Sequence, residues 1–282
     1  MLYTLKKDDF QVTVTTLGAE MVSVLYKGKE RLWQNETGNW AGHSPVLFPV
    51  CGHFGLTYGG KSYPIQAHGF AKRTEFVLAN QTENSLTFSI QSNEETKKVY
   101  PFEFLFSVKY EIKENELCVS YTVENLGQNS LYFACVSHDS FALATDVDGY
   151  ALVFDKEESL VHYYHDDGGY LSGETHDFGK CKRFPLPKAF LQNGATLIFK
   201  DLQSDKVTLE TLGGEKVASL AFDTCKNLLL WRATDSKFIC IEPWTNLPDF
   251  AGVEDIEFSK KDGVIEVPSK SFKKFTRTIS YE

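Results

Sequence analysis

The stretch FEFLFSVKYEIKENELCVSYTV, residues 102–123, decides the fold class. Its first half carries an apolar or aromatic side chain at every even position from Phe102 to Ile112. Because successive side chains of a β-strand point to opposite faces, this alternation is typical of a strand with one buried face. After the polar break KENE, the alternation resumes on odd positions from Leu117 to Val123. Two alternating runs around a short polar break predict a β-hairpin.

The same period-two pattern recurs along the chain. It is present at 10–14, 86–90 and 207–209, and turn signals rich in Gly and Asn separate the apolar runs. Many short strands at regular spacing favour an all-β, antiparallel sandwich or barrel with little helix. No Pro/Ser-rich linker or internal repeat divides the chain, so we expect a single domain over residues 1–282.

Two segments lack the strand pattern. Residues 163–188 are polar and Gly-rich, and we expect a long loop there, arching over one face of the protein. Residues 246–256 have room for one or two helical turns. The rest of the chain shows little sign of helix.

Composition and charge argue against several partners. With 29 basic and 38 acidic residues the net charge is −9, and no compact basic run is present, which counts against nucleic-acid binding. The N-terminus lacks a signal-peptide profile, and no apolar run approaches the roughly 18 residues of a membrane span. No C-x-x-C pair occurs, and Cys118, Cys135 and Cys240 lie in apolar runs, as reduced core cysteines do. We therefore expect a cytoplasmic protein that binds neither nucleic acid nor membrane.

Polar side chains interrupt or follow several apolar runs. The stretch FICIEPWTNLPD, residues 238–249, passes from an apolar, strand-like segment straight into Glu242. His53, His68 and His138 stand in comparable places, after apolar runs or in tight turns. For each residue alone, a structural hydrogen bond or an ion pair is the simpler interpretation. Together, the four residues suggest a shared site at the open end of one sheet.

Several chemistries compete for such a site. A zinc site usually shows a close pair such as H-x-H or H-E-x-x-H, and none occurs, so we expect no metal. A hydrolase of the nucleophile-elbow type needs G-x-S-x-G, which is absent. A glycosidase needs two carboxylates, for which Asp139 and Glu242 are a weak pair. Proton transfer by one carboxylate and one imidazole fits best.

Five stretches occur in an order that resembles the aldose 1-epimerase (galactose mutarotase) family, in particular its LacX-type branch. They are LWQNETGNWAGHSPVLFPVCG (32–52), AHGFAKRTEF (67–76), ETKKVYPFEF (95–104), SHDSFAL (137–143) and NLLLW followed by FICIEPWTNLPD (227–249). The resemblance runs from about residue 10 to the C-terminus. It implies an antiparallel β-supersandwich as one domain, a monosaccharide substrate and no cofactor.

The resemblance also implies roles for individual residues. Glu242 matches the family's general base, which takes the proton of the anomeric hydroxyl of a pyranose. His138 matches the general acid, which protonates the ring oxygen. His68 is similar to the family histidine that hydrogen-bonds the ring oxygen or neighbouring hydroxyls. We expect Trp231 and Phe70 to form apolar walls for the C–H faces of the sugar.

Three positions depart from the family pattern. His53 stands where many members have arginine, and a histidine cannot make the two-pronged contact of a guanidinium. Asp139 replaces a proline beside the proposed acid, where it would hold His138 protonated or bind a sugar hydroxyl. Gly194 stands where the family has a sugar-binding aspartate, and Asn193 is the expected partial substitute.

Two alternatives remain open at this point. The departures motivate a non-catalytic carbohydrate-binding or sensing protein with the same fold. The other alternative is a hexose 6-phosphate epimerase, and its only support is the basic pair Lys72–Arg73, which we expect to be solvated surface.

Overall fold

The computed structural model describes residues 1–134, 137–223, 225–253 and 255–282. Cys135, expected above to be a core cysteine, lies outside the described residues. The strands β1 to β21 span, in chain order, Leu2–Lys7, Phe10–Thr15, Met21–Tyr26, Lys29–Glu30, Leu56–Tyr58, Lys61–Tyr63, Val77–Gln81, Ser85–Gln91, Phe104–Lys113, Glu116–Asn125, Leu131–Phe133, Asp139–Ala142, Tyr150–His165, Leu171–Pro185, Thr196–Phe199, Lys206–Thr211, Lys216–Phe222, Asn227–Trp231, Phe238–Trp244, Ile265–Val267 and Phe272–Tyr281. The α-helix α1 spans Glu94–Val99, and single 3₁₀ turns cover Ala71–Arg73, Val147–Gly149, Lys188–Phe190 and Phe258–Lys260.

Most strands belong to one large sheet. It has 13 strands in the order β12-β19-β18-β15-β13-β16-β17-β21-β10-β9-β8-β7, with β14 paired to β13. Strands β1 to β4 form a separate four-stranded sheet. Neighbouring strands pair antiparallel throughout the described residues. The predicted all-β, antiparallel fold with little helix is confirmed.

The predicted hairpin at 102–123 is formed by β9 and β10. Ile112 lies opposite Leu117, and Phe106 lies opposite Val123. Burial alternates along β9 as the apolar positions do, because only one face of the strand is covered. That face is closed by the small sheet and its connections, and the hydroxyl of Tyr110 donates across the core to the carbonyl of Ala19 at 2.6 Å. Strands β12, β19 and β18 lie at the opposite end of the large sheet.

The expectation of a long loop at 163–188 is wrong. Most of this segment is β14, which pairs with β13 as a hairpin, for example Tyr163 opposite Thr175. Most of the β14 side chains are exposed, so the strand needs no apolar alternation. It is held by backbone hydrogen bonds to β13, which place no demand on side-chain polarity, and by a few packed side chains such as Leu171 and Phe184.

The helical content also differs from the expectation. The described part of 246–256 forms turns and bends instead of helical turns. The helix α1 escaped the sequence pattern because it has only 6 residues and buries none of them. Asn93 caps it by accepting from the backbone amides of Glu95 and Thr96. None of the helices in the described ranges is long and apolar enough to span a membrane.

Candidate active site

Strand register brings the two proposed proton-transfer residues together. Strand β12 pairs with β19, and Asp139 lies opposite Ile241. In an antiparallel pair, one step back on β12 corresponds to one step forward on β19. His138, directly before β12, therefore reaches Glu242 on the same face of the sheet. The distance from His138 Nε2 to Glu242 Oε1 is 3.4 Å.

These two side chains lie in a cavity of about 330 Å³. It opens on the face of the sheet that His138 and Glu242 share, and aromatic, histidine and aliphatic side chains form most of its wall. The lining residues are Trp40, Pro45, Leu47, His68, Lys72, His138, Thr196, Leu229, Trp231, Glu242 and Trp244. The cavity is large enough for a small ligand and lined by few polar groups, as ligand sites usually are.

Burial sets the protonation of the pair. The side chain of Glu242 is 2% exposed and that of His138 is 12% exposed. Burial lowers the pKa of His138 to about 4, and burial raises the pKa of Glu242 well above its ordinary value. Both shifts favour the uncharged forms. The pair therefore holds a single proton over a wide pH range, and in the free cavity that proton resides on Glu242.

His68 is held as a hydrogen-bond donor. Its Nδ1 accepts the backbone N–H of Gly52 at 3.2 Å, so in the neutral ring the hydrogen is on Nε2. The ring stays neutral because burial lowers its pKa well below the ordinary value, and the neighbouring His138 lowers it further. His68 thus presents one N–H group to a ligand in the cavity, consistent with the role that the resemblance implies.

Tryptophans form the walls beside the acid–base pair. Trp40 stacks on His138 with ring centroids 5.6 Å apart, and Trp231 meets the edge of Trp40 at 5.2 Å. Trp231 is fixed from behind, because its indole N–H donates to the carbonyl of Gly194 at 3.1 Å. Trp231 thus lines the cavity, and its contact with a sugar stays an expectation. Trp40 was missed, although it lies within the motif at 32–52 and follows a Gly-Asn turn.

Asp139 does not lie in the cavity, and its expected role as a sugar ligand is corrected. Its carboxylate points to the other face of the sheet, is 0% exposed, and accepts hydrogen bonds from Ser44, Ser137 and Arg277 at 2.6 to 2.7 Å. The reason is the alternation of side chains along a strand. Asp139 raises the pKa of His138, but burial outweighs this effect and lowers the pKa overall. Nδ1 of His138 has no described partner outside its own residue.

Three further expected ligands lie outside the cavity lining. Phe70 packs against the core, 6.0 Å from the ring of Phe48, because the turn after His68 directs it away from the cavity. Asn193 is exposed on a turn with φ of 56°. His53 is exposed and lies 5.4 Å from the ring of Tyr170. The sequence placed these residues near the site in the chain, but the turns that carry them aim their side chains elsewhere.

Cys240 lies beside the acid–base pair. The side chains of His138, Cys240 and Glu242 each carry one atom that could bind a metal ion. These three atoms lie within 4.8 Å of one another. Burial raises the pKa of the Cys240 thiol well above its ordinary value, so without a metal it is a neutral thiol that packs with Phe238. Our expectation remains that the reaction uses no metal.

A second cavity, of about 220 Å³, lies beside Phe54 and Phe250. Four of its charged side chains form two ion pairs. Lys261 and Asp249 form a buried ion pair at 2.5 Å, and Lys200 lies 3.1 Å from Asp262. It offers no imidazole next to a carboxylate, so we place the chemistry in the first cavity.

Comparison with known proteins agrees with this fold. A family model described as aldose 1-epimerase matches residues 1–261, and the chain belongs to this family of carbohydrate epimerases. It is 30% identical to the protein LacX of Lactococcus lactis subsp. lactis over an alignment of 265 residues that covers 88% of this chain and 88% of LacX. The resemblance to the LacX-type branch is therefore confirmed.

Solved structures show the same architecture. The galactose mutarotase related enzyme from Lactobacillus acidophilus superposes with a TM-score of 0.89 at 27% identity, covering 100% of this chain and 97% of that chain. A galactose mutarotase-like protein from Lactobacillus casei gives a TM-score of 0.90 at 26% identity, covering 100% of both chains. The galactose mutarotase-like fold is thus shared along the whole chain.

Proposed function

We propose that this protein interconverts the α and β anomers of an aldose by opening and reclosing the sugar ring. The observation that carries the proposal is the 3.4 Å separation of His138 Nε2 and Glu242 Oε1 inside the cavity. The anomeric hydroxyl oxygen and the ring oxygen of a pyranose are bonded to the same carbon. An acid and a base that serve both oxygens must therefore lie side by side, as these two groups do.

The reaction uses the single proton of the pair. In the active arrangement Glu242 is ionised and takes the proton of the anomeric hydroxyl, while protonated His138 gives its proton to the ring oxygen. The bond between the anomeric carbon and the ring oxygen breaks, and an open-chain aldehyde results. Rotation about the neighbouring C–C bond presents the other face of the carbonyl. Ring closure then reverses both proton transfers and restores the pair. The protein consumes nothing else.

The remaining lining groups hold the sugar during this exchange. The Nε2–H of His68 is available to the ring oxygen or a neighbouring hydroxyl. Trp40, Trp231 and Trp244 cover the C–H faces and exclude water from the pair. A positioned proton-transfer group contributes typically about 10²–10⁴ in rate, so two such groups account for a useful acceleration over buffer.

The alternative of a non-catalytic binding protein loses its motivation. It was based on the departures at His53, Asp139 and Gly194, and none of these residues lines the cavity. The two proton-transfer residues and the donor His68 do line it. No contact among the described residues favours binding without catalysis.

The first test is Glu242→Gln, followed by NMR of anomer exchange with α-galactose, α-glucose and a short panel of other aldoses. The amide keeps the shape of the side chain but cannot accept the hydroxyl proton as a carboxylate does. We expect exchange to fall by about 100-fold or more, to the buffer rate. The matched control is Glu83→Gln, an exposed glutamate between β7 and β8, which should keep the wild-type rate. A folded Glu242→Gln protein with undiminished exchange would rule out the proposal.

A further inference from the structure

Lys72 lies in the cavity without an ionic partner. It sits in the 3₁₀ turn Ala71–Arg73, is half-buried, and lines the same cavity as the acid–base pair. No described carboxylate lies within ion-pair distance of its ammonium group. The nearby Glu20 is already engaged, because it accepts the backbone amides of His43 and Ser44 at 2.6 and 3.0 Å. The expectation that Lys72 is solvated surface is therefore corrected.

The neighbouring Arg73 is placed differently. It is exposed, its guanidinium donates to the carbonyl of Gly69 at 3.2 Å, and it does not line the cavity. Of the two basic residues that were noticed as a pair in the sequence, only Lys72 faces the site. Because His68 and His138 are neutral, Lys72 is the one full positive charge among the residues lining this cavity.

A cation in this position is incompletely compensated. Burial lowers the pKa of Lys72, the charge of Arg73 lowers it further, and the carboxylate of Glu20 raises it without reversing the shift. The net lowering reflects unfavourable surroundings for an ammonium group. Hydroxyl groups of a neutral sugar offer only dipoles to such a charge. An anionic group offers a full counter-charge, and charge-assisted hydrogen bonds are roughly twice as strong as neutral ones.

Resting on the proposed function, we infer that the substrate is an aldose with an anionic group, a phosphate monoester or a carboxylate, and that Lys72 binds that group while the anomeric carbon faces Glu242 and His138. No described ion pair joins Lys72 to Glu242, so Lys72 is available to an anionic group of the substrate. Lys72 is thus a specificity-determining residue.

The charge of Lys72 also reaches the proton-transfer group. It lowers the pKa of both His68 and His138. A bound anion would cancel part of that field and make protonated His138 easier to form. An anionic substrate would therefore gain in the proton-transfer step as well as in binding, whereas a neutral sugar meets the uncompensated charge.

The test compares three related sugars on the wild-type protein: galactose, galactose 6-phosphate and galacturonic acid, with the glucose series beside them. The catalytic efficiency of anomer exchange, kcat/KM, is measured for each by NMR. We expect at least one anionic member to exceed its neutral parent by about tenfold or more. Comparison of galactose 6-phosphate with galacturonic acid shows whether the preferred anionic group is a phosphate monoester or a carboxylate.

The variant Lys72→Met removes the charge but keeps an unbranched side chain. A hydrogen bond to a charged group is worth enough to predict a loss of about 10- to 100-fold for the preferred anionic sugar, so that its preference over the neutral parent disappears. Arg73→Met makes the same change in net charge outside the cavity and should leave both rates unchanged. Lys72→Arg should retain most of the preference, and circular dichroism verifies that all variants fold.

Equal kcat/KM values for neutral and anionic sugars would overturn the inference and leave the proposed function standing. An equal loss of kcat/KM on both kinds of sugar in Lys72→Met would have the same meaning. If no sugar exchanges faster than in buffer, the proposed function fails, and calorimetric titration with the same sugars decides the inference separately. Anion-dependent binding that Lys72→Met weakens would support it. No binding of either anionic sugar would overturn it.

Discussion

At the residue scale, neighbours in the chain serve unrelated purposes. His138 faces the cavity, and Asp139 faces the interior on the other side of the sheet, where it pairs with Arg277 at 2.7 Å. Burial alone would raise the pKa of Asp139, but the guanidinium of Arg277 and two serine hydroxyls hold it below the ordinary value. The proposed catalytic side chain is therefore anchored by an ion pair that lies outside the cavity.

Asp139→Asn tests whether Asp139 stabilises the fold without contacting the sugar. The substitution leaves the Arg277 guanidinium, whose side chain is 3% exposed, without its counter-charge. Breaking a buried ion pair in this way typically lowers the free energy of unfolding by about 3–5 kcal/mol. Urea unfolding measures the loss. Below its own melting temperature the variant should still exchange anomers. A raised KM for sugar with unchanged stability would instead restore Asp139 as a sugar ligand.

The pH dependence of exchange follows from the single proton of the pair. As pH falls through about 4, the pKa of His138, the imidazole gains a proton while Glu242 keeps its own, and no base remains. As pH rises through the raised pKa of Glu242, the pair loses its only proton, and no acid remains. kcat/KM should therefore form a plateau whose acidic limb lies near pH 4.

An exposed, unperturbed histidine would place that acidic limb near pH 6.5 instead. The measurement is the buffer-corrected exchange rate at each pH, with circular dichroism to verify that the protein remains folded. A decline that begins between pH 7 and 6 would contradict the assignment of His138 as a buried, neutral imidazole.

At the element scale, the site depends on strand register and on one tight turn. The cross-strand pairing of β12 with β19 sets the distance between His138 and Glu242. The turn that carries His68 must then approach the chain at Phe48 very closely. Gly69 adopts φ of +67°, and a Cβ atom added there would lie 2.1 Å from the Phe48 carbonyl oxygen. Only glycine satisfies both conditions.

Gly69→Ala should therefore damage both stability and binding. The clash is with backbone, which cannot rotate away, so the loss in free energy of unfolding should reach about 1–3 kcal/mol or more. His68 should shift with the turn and raise KM. Gly59→Ala is the matched control, because Gly59 has φ of +61° but nothing within 4 Å of an added Cβ. Thermal melts and exchange kinetics are measured for both variants. Equal losses of stability and of exchange rate would show that the close approach of Gly69 to Phe48 is not the cause.

At the scale of the whole molecule, the last strand closes the structure. Strand β21 lies between β17 and β10 in the interior of the large sheet, and it carries Arg277, which anchors Asp139 beneath the site. Residues from both ends of the chain thus meet in one core. We propose on this basis that residues 1–282 form one domain.

Deletion of residues 272–282 should prevent folding altogether. It would remove a strand with partners on both sides and leave two new sheet edges inside the protein. Deletion of residues 1–7 removes only β1, an edge strand paired with β2 alone, and should give a folded but less stable protein. Circular dichroism and heteronuclear NMR spectra compare the two. A cooperative melt of the protein without β21 would contradict the single-domain proposal.

The strands differ, for physical reasons, in how far their sequence reveals them. Strands with one buried face, such as β9 and β10, follow the period of their side chains and were predicted. Strand β14 is mostly exposed and buries few of its side chains, so its sequence resembles a loop. For the site, the family motifs selected Glu242, His138, His68 and Trp231. They could not exclude Asp139, because motif position does not state which face a side chain occupies.

What the sequence by itself determined is the set of strands with one buried face, the family, and the chemical types available at strand ends. These depend on local periodicity and on motifs, which can be read along the chain. Only the tertiary structure decided which of those side chains share a cavity. It turned Lys72 inward and left Arg73 outside, and it turned Asp139 away from His138. The physical reason is that facing and distance arise from strand register and tight turns between segments far apart in sequence.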